Sequence, residues 1–127
     1  MYTTAVKRDF VAQHYLSGGD WGAENERHSH HYQVEVQLMG ESLDQHGFLA
    51  DIVDITRTIE ELIAQLRDRT LNELPEFAGL NPSLEHLARA FCQSFAQRMH
   101  APNLSRVRVQ IWENDIAWSS YEQALHH

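Results

Sequence analysis

The sequence predicts an α+β fold with element order ββααββ, in which a four-stranded antiparallel sheet carries two helices on one face. Three observations predict it. Apolar residues alternate with period two in runs near both ends of the chain, the pattern of half-buried strands. Two apolar stripes at helical spacing lie between those runs. Clusters of Gly, Ser, Asn, Asp and Pro separate the segments. At 127 residues the chain is read as one domain, spanning 1–127. A chain of this size buries about two thirds of its unfolded surface, enough for an ordinary core.

The first strand covers residues 2–14, with Val6, Phe10, Ala12 and His14 on one face and Lys7 and Asp9 on the other. Arg8 breaks this pattern. Ser17-Gly18-Gly19-Asp20-Trp21-Gly22 reads as a loop. It leads to a strand that opens at His28 and ends near Met39-Gly40. His28, His30, Tyr32, Val34, Val36 and Leu38 share one face of that strand, and strands one and two can pair as a long hairpin. Leu43–Gly47 is a turn. Asp54 is the expected cap of a helix whose stripe is Ile55, Ile59, Leu62, Ile63 and Leu66, ending near Arg69. A second helix is expected to open at Asn81-Pro82, where proline's missing N–H does no harm. Its stripe is Leu84, Leu87, Ala88, Phe91, Phe95 and Met99, and Pro102-Asn103 closes it. Val107, Val109 and Ile111 mark a third strand, and residues 116–123 a fourth after a turn at Asn114-Asp115. A sheet this small has open edges, and self-association would cover them.

Ten basic against eighteen acidic residues give a net charge of −8, which argues against nucleic acid or an anionic membrane as partner. It also requires local positive charge for any polyphosphate substrate. Cys92 is the only cysteine, so no disulfide framework exists within the chain. No apolar run reaches the roughly 18 residues of a membrane span, and Met1–Thr4 lacks the features of a signal peptide. The expected setting is a reducing cytoplasm. His126 and His127 are given no role.

Two histidines two apart on a strand are a weak metal signal, and strand-end polar residues are their plainer reading. His14, on the same apolar parity of the neighbouring strand, makes three imidazoles with room for a fourth position, the pattern of a catalytic zinc site. His31 faces the other way. Glu113 falls on the apolar parity of Val107, Val109 and Ile111, either as a solvent-reaching carboxylate or as one that accepts two N–H bonds from a planar heterocycle. Ser83 and Glu85 sit where a helix cap and a favourable dipole partner would sit. Cys92 reads as a small packing residue.

With these residues in place, the chain resembles the 6-pyruvoyl-tetrahydropterin synthase family, including its 6-carboxy-tetrahydropterin synthases, over essentially its whole length. Phe10–His14 is similar to the segment of the first zinc ligand. His28-Ser29-His30 resembles the His-Gly-His motif, with serine for glycine. Gly47–Ile52 resembles the turn into the first helix, Pro82-Ser83-Leu84-Glu85 the Pro-Thr-x-Glu helix opening, and Ile111–Asn114 the glutamate segment. The resemblance implies a tunnelling fold (T-fold) whose subunits join sheets into an oligomeric barrel, commonly a homohexamer, with sites between subunits. It implies Zn2+ on His14, His28 and His30. It implies a pterin ring anchored by Glu113, with Ser83 and Glu85 contributing, in the queuosine or folate and biopterin pathways.

The catalytic positions depart from the family. Glu24 stands where its cysteine lies, four residues before the histidine pair. A related branch that cleaves dihydroneopterin carries a glutamate three residues before, where this chain has Asn25. The family's Asp-His pair becomes Arg67-Asp68. Glu24 and Asp68 are therefore the candidate proton acceptors. The alternative is that Glu24 or Glu26, both on the strand parity of His28, ligates zinc and closes the site, making it structural. Arg27, Arg67 and Arg69 are candidates to hold a phosphate, or are surface charge. The expected activity is a zinc-dependent lyase of dihydroneopterin or its triphosphate. The alternatives are a non-catalytic pterin- or purine-binding homo-oligomer and an oligomeric scaffold with a structural zinc.

Overall fold

A computed structural model describes residues 1–125, and His126 and His127 lie outside the described residues. Four strands form one antiparallel sheet in the order β1-β2-β3-β4. They are β1 (Tyr2–His14), β2 (His28–Gly40), β3 (Arg106–Trp112) and β4 (Trp118–Ala124). The helices α1 (Ile52–Ala64) and α2 (Leu84–Arg98) interrupt the chain between β2 and β3. The expected ββααββ order is the observed one.

Period-two alternation determines the register. β1 and β2 pair along their full length, from Tyr2 opposite Gly40 to His14 opposite His28. Val6, Phe10 and Ala12 therefore join Tyr32, Val34, Val36 and Leu38, and Val107, Val109 and Ile111, on the face that the helices cover. Ile55, Ile59, Leu62 and Ile63 of α1 and Leu87, Ala88, Phe91 and Phe95 of α2 close the core from the other side. Each of the Val, Leu, Ile and Phe side chains contributes about 1.5–3 kcal/mol by leaving water. Arg8, the residue out of pattern, sits at the sheet edge and reaches over to α1, where its Nε donates to Glu60 at 3.0 Å. Cys92 is fully buried, and burial pushes its thiol up to about 12, so it packs and does not react.

Several boundaries differ from expectation. Asp51, not Asp54, caps α1: its carboxylate accepts from the Val53 N–H at 2.9 Å. Asp54 lies within the first turn, paired with Arg57 at 3.2 Å. The helix stops at Ala64, short of Arg69, because the chain turns back through Asp68 at φ 60°. There the Asp68 N–H donates to the Val11 carbonyl at 2.7 Å and Arg69 accepts from the Gln13 N–H at 2.9 Å. Residues 68–70 thus dock along the outer edge of β1. At α2, Ser83 is the cap, accepting from the His86 N–H at 3.1 Å, so the helix begins after Asn81-Pro82. It ends at Arg98, ahead of Pro102. β4 begins at Trp118, since the Asn114 side chain accepts from the Ile116 and Ala117 N–H groups and prolongs the turn. At the far end of the hairpin, a Cβ on Gly40 would lie 2.0 Å from the Asn103 carbonyl oxygen, so only glycine fits there. No helix among the described residues is long and apolar enough to cross a membrane.

Candidate metal centre and adjoining cleft

Antiparallel pairing sets His14 directly opposite His28 at the open end of the β1–β2 hairpin. His30 follows two residues later on the same face, so three imidazoles crowd together with ring centroids 4.6–4.9 Å apart. His14 is only 3% exposed. Its Nδ1 lies 2.9 Å from the Pro82 carbonyl, and a carbonyl only accepts, so Nδ1 carries the proton and Nε2 presents a lone pair. That Nε2 is buried without a partner. His28 repeats the arrangement, with Nδ1 donating to the Glu26 carbonyl at 2.8 Å. Its Nε2 then faces the Nε2 of His30 at 3.1 Å and the Glu24 carboxylate at 2.7 Å. Burial is the main force lowering the His30 pKa; the neighbouring His14 and His28 add to it, while Glu113 opposes it. Two inward lone pairs, on His14 and His28, beside a carboxylate repel one another unless a proton or a cation lies between them. One donor atom from each of His14, Glu24, His28 and His30 lies within 4.8 Å of the rest, an arrangement able to hold a metal ion.

The centre opens on a cleft of about 380 Å³ lined by His14, Leu16, Glu24, Ser83, Leu84, Glu85, Glu113, Ala117, Trp118 and Ser119. That volume suits a small organic molecule. Glu113 leaves the end of β3, its N–H bonded to the Ala117 carbonyl at 3.1 Å, and its Oε1 lies 3.0 Å from His30 Nε2. Ser83 and Glu85 enter from the first turn of α2, and Glu85 accepts from the Ser119 hydroxyl at 3.2 Å. Two asparagines staple the chain beyond His14: Asn72 bonds both backbone groups of Tyr15, and Asn81 both those of Ser17.

The candidates His14, His28, His30, Glu24, Glu113, Ser83 and Glu85 therefore meet at one place. Asp68 does not. It is exposed, occupies the left-handed turn against Val11, and does not line the cleft. Glu26 offers its backbone carbonyl to His28 and is absent from the donor cluster. Asn25, which aligns with a glutamate of the related branch, has its amide engaged by Trp21, Leu16 and Gly19. His31 pairs with Asp9 on the face away from the helices. No signal in the sequence marks Leu16, Ala117 or Trp118, whereas Ser119 shares the helix-facing parity of Tyr121. Tyr32 is a further surprise: 1% exposed, its ring 5.6 Å from that of His30, its hydroxyl buried without a partner.

Comparison with known proteins agrees with this geometry. An Archaeoglobus fulgidus protein provisionally named 6-carboxy-5,6,7,8-tetrahydropterin synthase is 29% identical over 92 residues, 72% of each chain. The 6-pyruvoyl tetrahydropterin synthase of Caenorhabditis elegans superposes with a TM-score of 0.82 at 23% identity, covering 96% of this chain and 95% of that one. A catalytic-residue variant of the Plasmodium vivax enzyme also gives 0.82, at 12% identity over 97% and 98%. These two structural likenesses establish a shared tunnelling fold. The sequence model of the 6-pyruvoyl tetrahydropterin synthase family matches residues 3–124, and the chain belongs to that family of pterin-processing enzymes.

Proposed function

We propose that the protein is a zinc-dependent lyase that acts on the side chain of dihydroneopterin or its triphosphate. The observation that carries this reading is the meeting of an inward-facing histidine cluster and Glu113 at one cleft of small-molecule size. The residues fit a metal: His14 and His28 hold their Nδ1 protons on carbonyls and point Nε2 inward, and the His14 Nε2 is otherwise orphaned. His14, His28 and His30 would hold the Zn2+, which would supply a Lewis acid for a side-chain oxygen.

The remaining roles belong to the chain itself. Contact between Glu113 and His30 requires a proton on Nε2. Once that nitrogen gives its lone pair to a cation, both Glu113 oxygens are free to accept paired N–H bonds from the pterin ring. Ser83 offers a hydroxyl at the N-terminus of α2. Glu85, steadied by Ser119, stands beside it. Glu24 is the carboxylate nearest the imidazoles, and we assign it the proton-accepting role. β1 and β4 are the sheet edges at which copies would join into the proposed homohexamer. A cytoplasmic setting completes the proposal.

One observation favours a second reading, a pterin- or purine-binding homo-oligomer without turnover. The family's cysteine and Asp-His positions hold Glu24 and Arg67-Asp68, and Asp68 stands away from the cleft. Calorimetric titration of 7,8-dihydroneopterin into the zinc-loaded protein and into Glu113→Gln tests the shared part. The variant is expected to lose binding about tenfold or more, as when one buried ionic partner is removed. Equal affinity would remove Glu113 from the site. Product formation then separates lyase from binder.

A further inference from the structure

Glu24 sits on a short 3₁₀ turn, Gly22–Asn25, where the sequence suggested only a lead into the histidine strand after a loop over 17–22. The turn is fixed with unusual care for an exposed segment. The Leu16 N–H donates to the Glu24 carbonyl at 2.9 Å, only two residues beyond His14. The Asn25 amide donates to the carbonyls of Leu16 and Gly19, both at 3.0 Å, and accepts from the Trp21 N–H at 2.8 Å. The backbone carrying Glu24 is thus tied to the strand end that carries His14. Its carboxylate arrives already aimed: Oε2 is 2.7 Å from His28 Nε2.

A hydrogen bond accounts for that contact only when a proton sits on His28 Nε2. His28 donates its Nδ1 proton to the Glu26 carbonyl, so its neutral form has no second proton for Glu24. The same Nε2 also faces His30 Nε2 at 3.1 Å. In a tetrahedral zinc site with bonds of about 2.0–2.1 Å, donors stand roughly 3.3 Å apart. The 3.1 Å and 2.7 Å separations approach that edge, and all four donors fall within 4.8 Å of one another. The unpartnered, buried Nε2 of His14 supplies the remaining direction.

We infer that Glu24 is a fourth protein donor to the cation held by His14, His28 and His30, so that the substrate-free centre is closed by the protein alone. This rests on the metal reading above and deepens it. Substrate entry then requires the carboxylate to move aside, which frees it to accept a proton. Asn25 acts as a positioning residue, through Glu24.

The test uses metal and a small anion, with no pterin present. Cobalt(II) is loaded in place of zinc, its visible spectrum is recorded with and without azide, and zinc affinity is measured by competition with a chelator. The Glu24 side chain is 47% exposed, so Glu24→Ala leaves the core intact. Wild type is expected to give a cobalt spectrum that azide does not change. Glu24→Ala is expected to take up azide and to bind zinc about 10–100-fold more weakly, at least the loss that outer partners alone produce. A wild-type spectrum that responds to azide as the variant does, with equal zinc affinities, overturns the fourth donor while leaving the pterin reading standing. Failure of the wild type to take up cobalt or zinc overturns both the closed centre and the metal on which it rests.

Discussion

Replacing His14 by alanine separates what the cluster does for the fold from what it does for a metal. In the metal-free protein His14 holds an uncompensated group: an orphaned, buried Nε2, whose lost solvation costs about 1–3 kcal/mol. Truncation removes that cost. It also strands the Pro82 carbonyl and empties a ring-sized space, a loss of about 3–5 kcal/mol by analogy with other buried rings. Net destabilisation of the apo protein should therefore fall between about 0 and 4 kcal/mol, centred near 2. Zinc acts on the other side of the balance. At a free concentration near 100 times Kd it stabilises wild type by about 2.7 kcal/mol, a rise in Tm on the order of 10 °C for a domain this size. His14→Ala should keep little of that rise. Scanning calorimetry with chelator and with zinc reads both quantities in one experiment. An undiminished zinc shift in the variant would refute the placement of His14 in the metal centre, and no shift in wild type would refute the centre itself.

Other substitutions test neighbouring parts of the account. Tyr32→Phe removes a buried hydroxyl that has no partner, so stability should hold or rise by about 1 kcal/mol; chemical denaturation showing a loss larger than that would mean the hydroxyl is engaged. Asp68→Asn keeps a residue tolerant of φ 60° and removes the charge, so the fold should persist; a collapse of kcat would keep Asp68 as a proton acceptor at a neighbouring copy's site, and full turnover would remove it. Zinc uptake should depend on pH through His30. Burial holds its folded pKa below the ordinary 6.5, so the native state binds fewer protons than the unfolded one, and His30's contribution to stability declines as pH falls from 6.5 towards the folded pKa. Zinc affinity should accordingly be flat above neutrality and fall at lower pH with proton release, measurable by calorimetry in buffers of different ionisation enthalpy.

Much of this architecture was legible in the sequence because it depends on periodicity. Alternation located β1 and β2 to the residue, and parity alone placed His14, His28, His30 and Tyr32 on one face. The boundaries were less legible because they depend on where the chain enters an element. Asp51 and Asp54 are chemically equivalent caps, and only the path of the chain from the preceding turn selects Asp51. The end of α1 is decided by tertiary contact, the docking of residues 68–70 on the β1 edge, which no local signal encodes. At the site, Glu24 and Glu26 were equally plausible by strand counting. What separates them is the Asn25 amide, which folds the loop onto Leu16 and turns Glu24 inward. Glu113 was legible through an out-of-place carboxylate on an apolar parity, whereas Ser119 needed α2 to be docked before its contact with Glu85 could be seen.

The central claim is that this centre and this cleft process a pterin side chain. Incubation of the zinc-loaded protein with 7,8-dihydroneopterin and, separately, with its triphosphate, followed by mass analysis, tests it most directly. The account predicts a pterin product with a shortened or eliminated side chain from at least one of them, abolished in Glu24→Gln and by zinc removal. Quantitative recovery of both compounds unchanged, from protein shown to bind zinc, would contradict it.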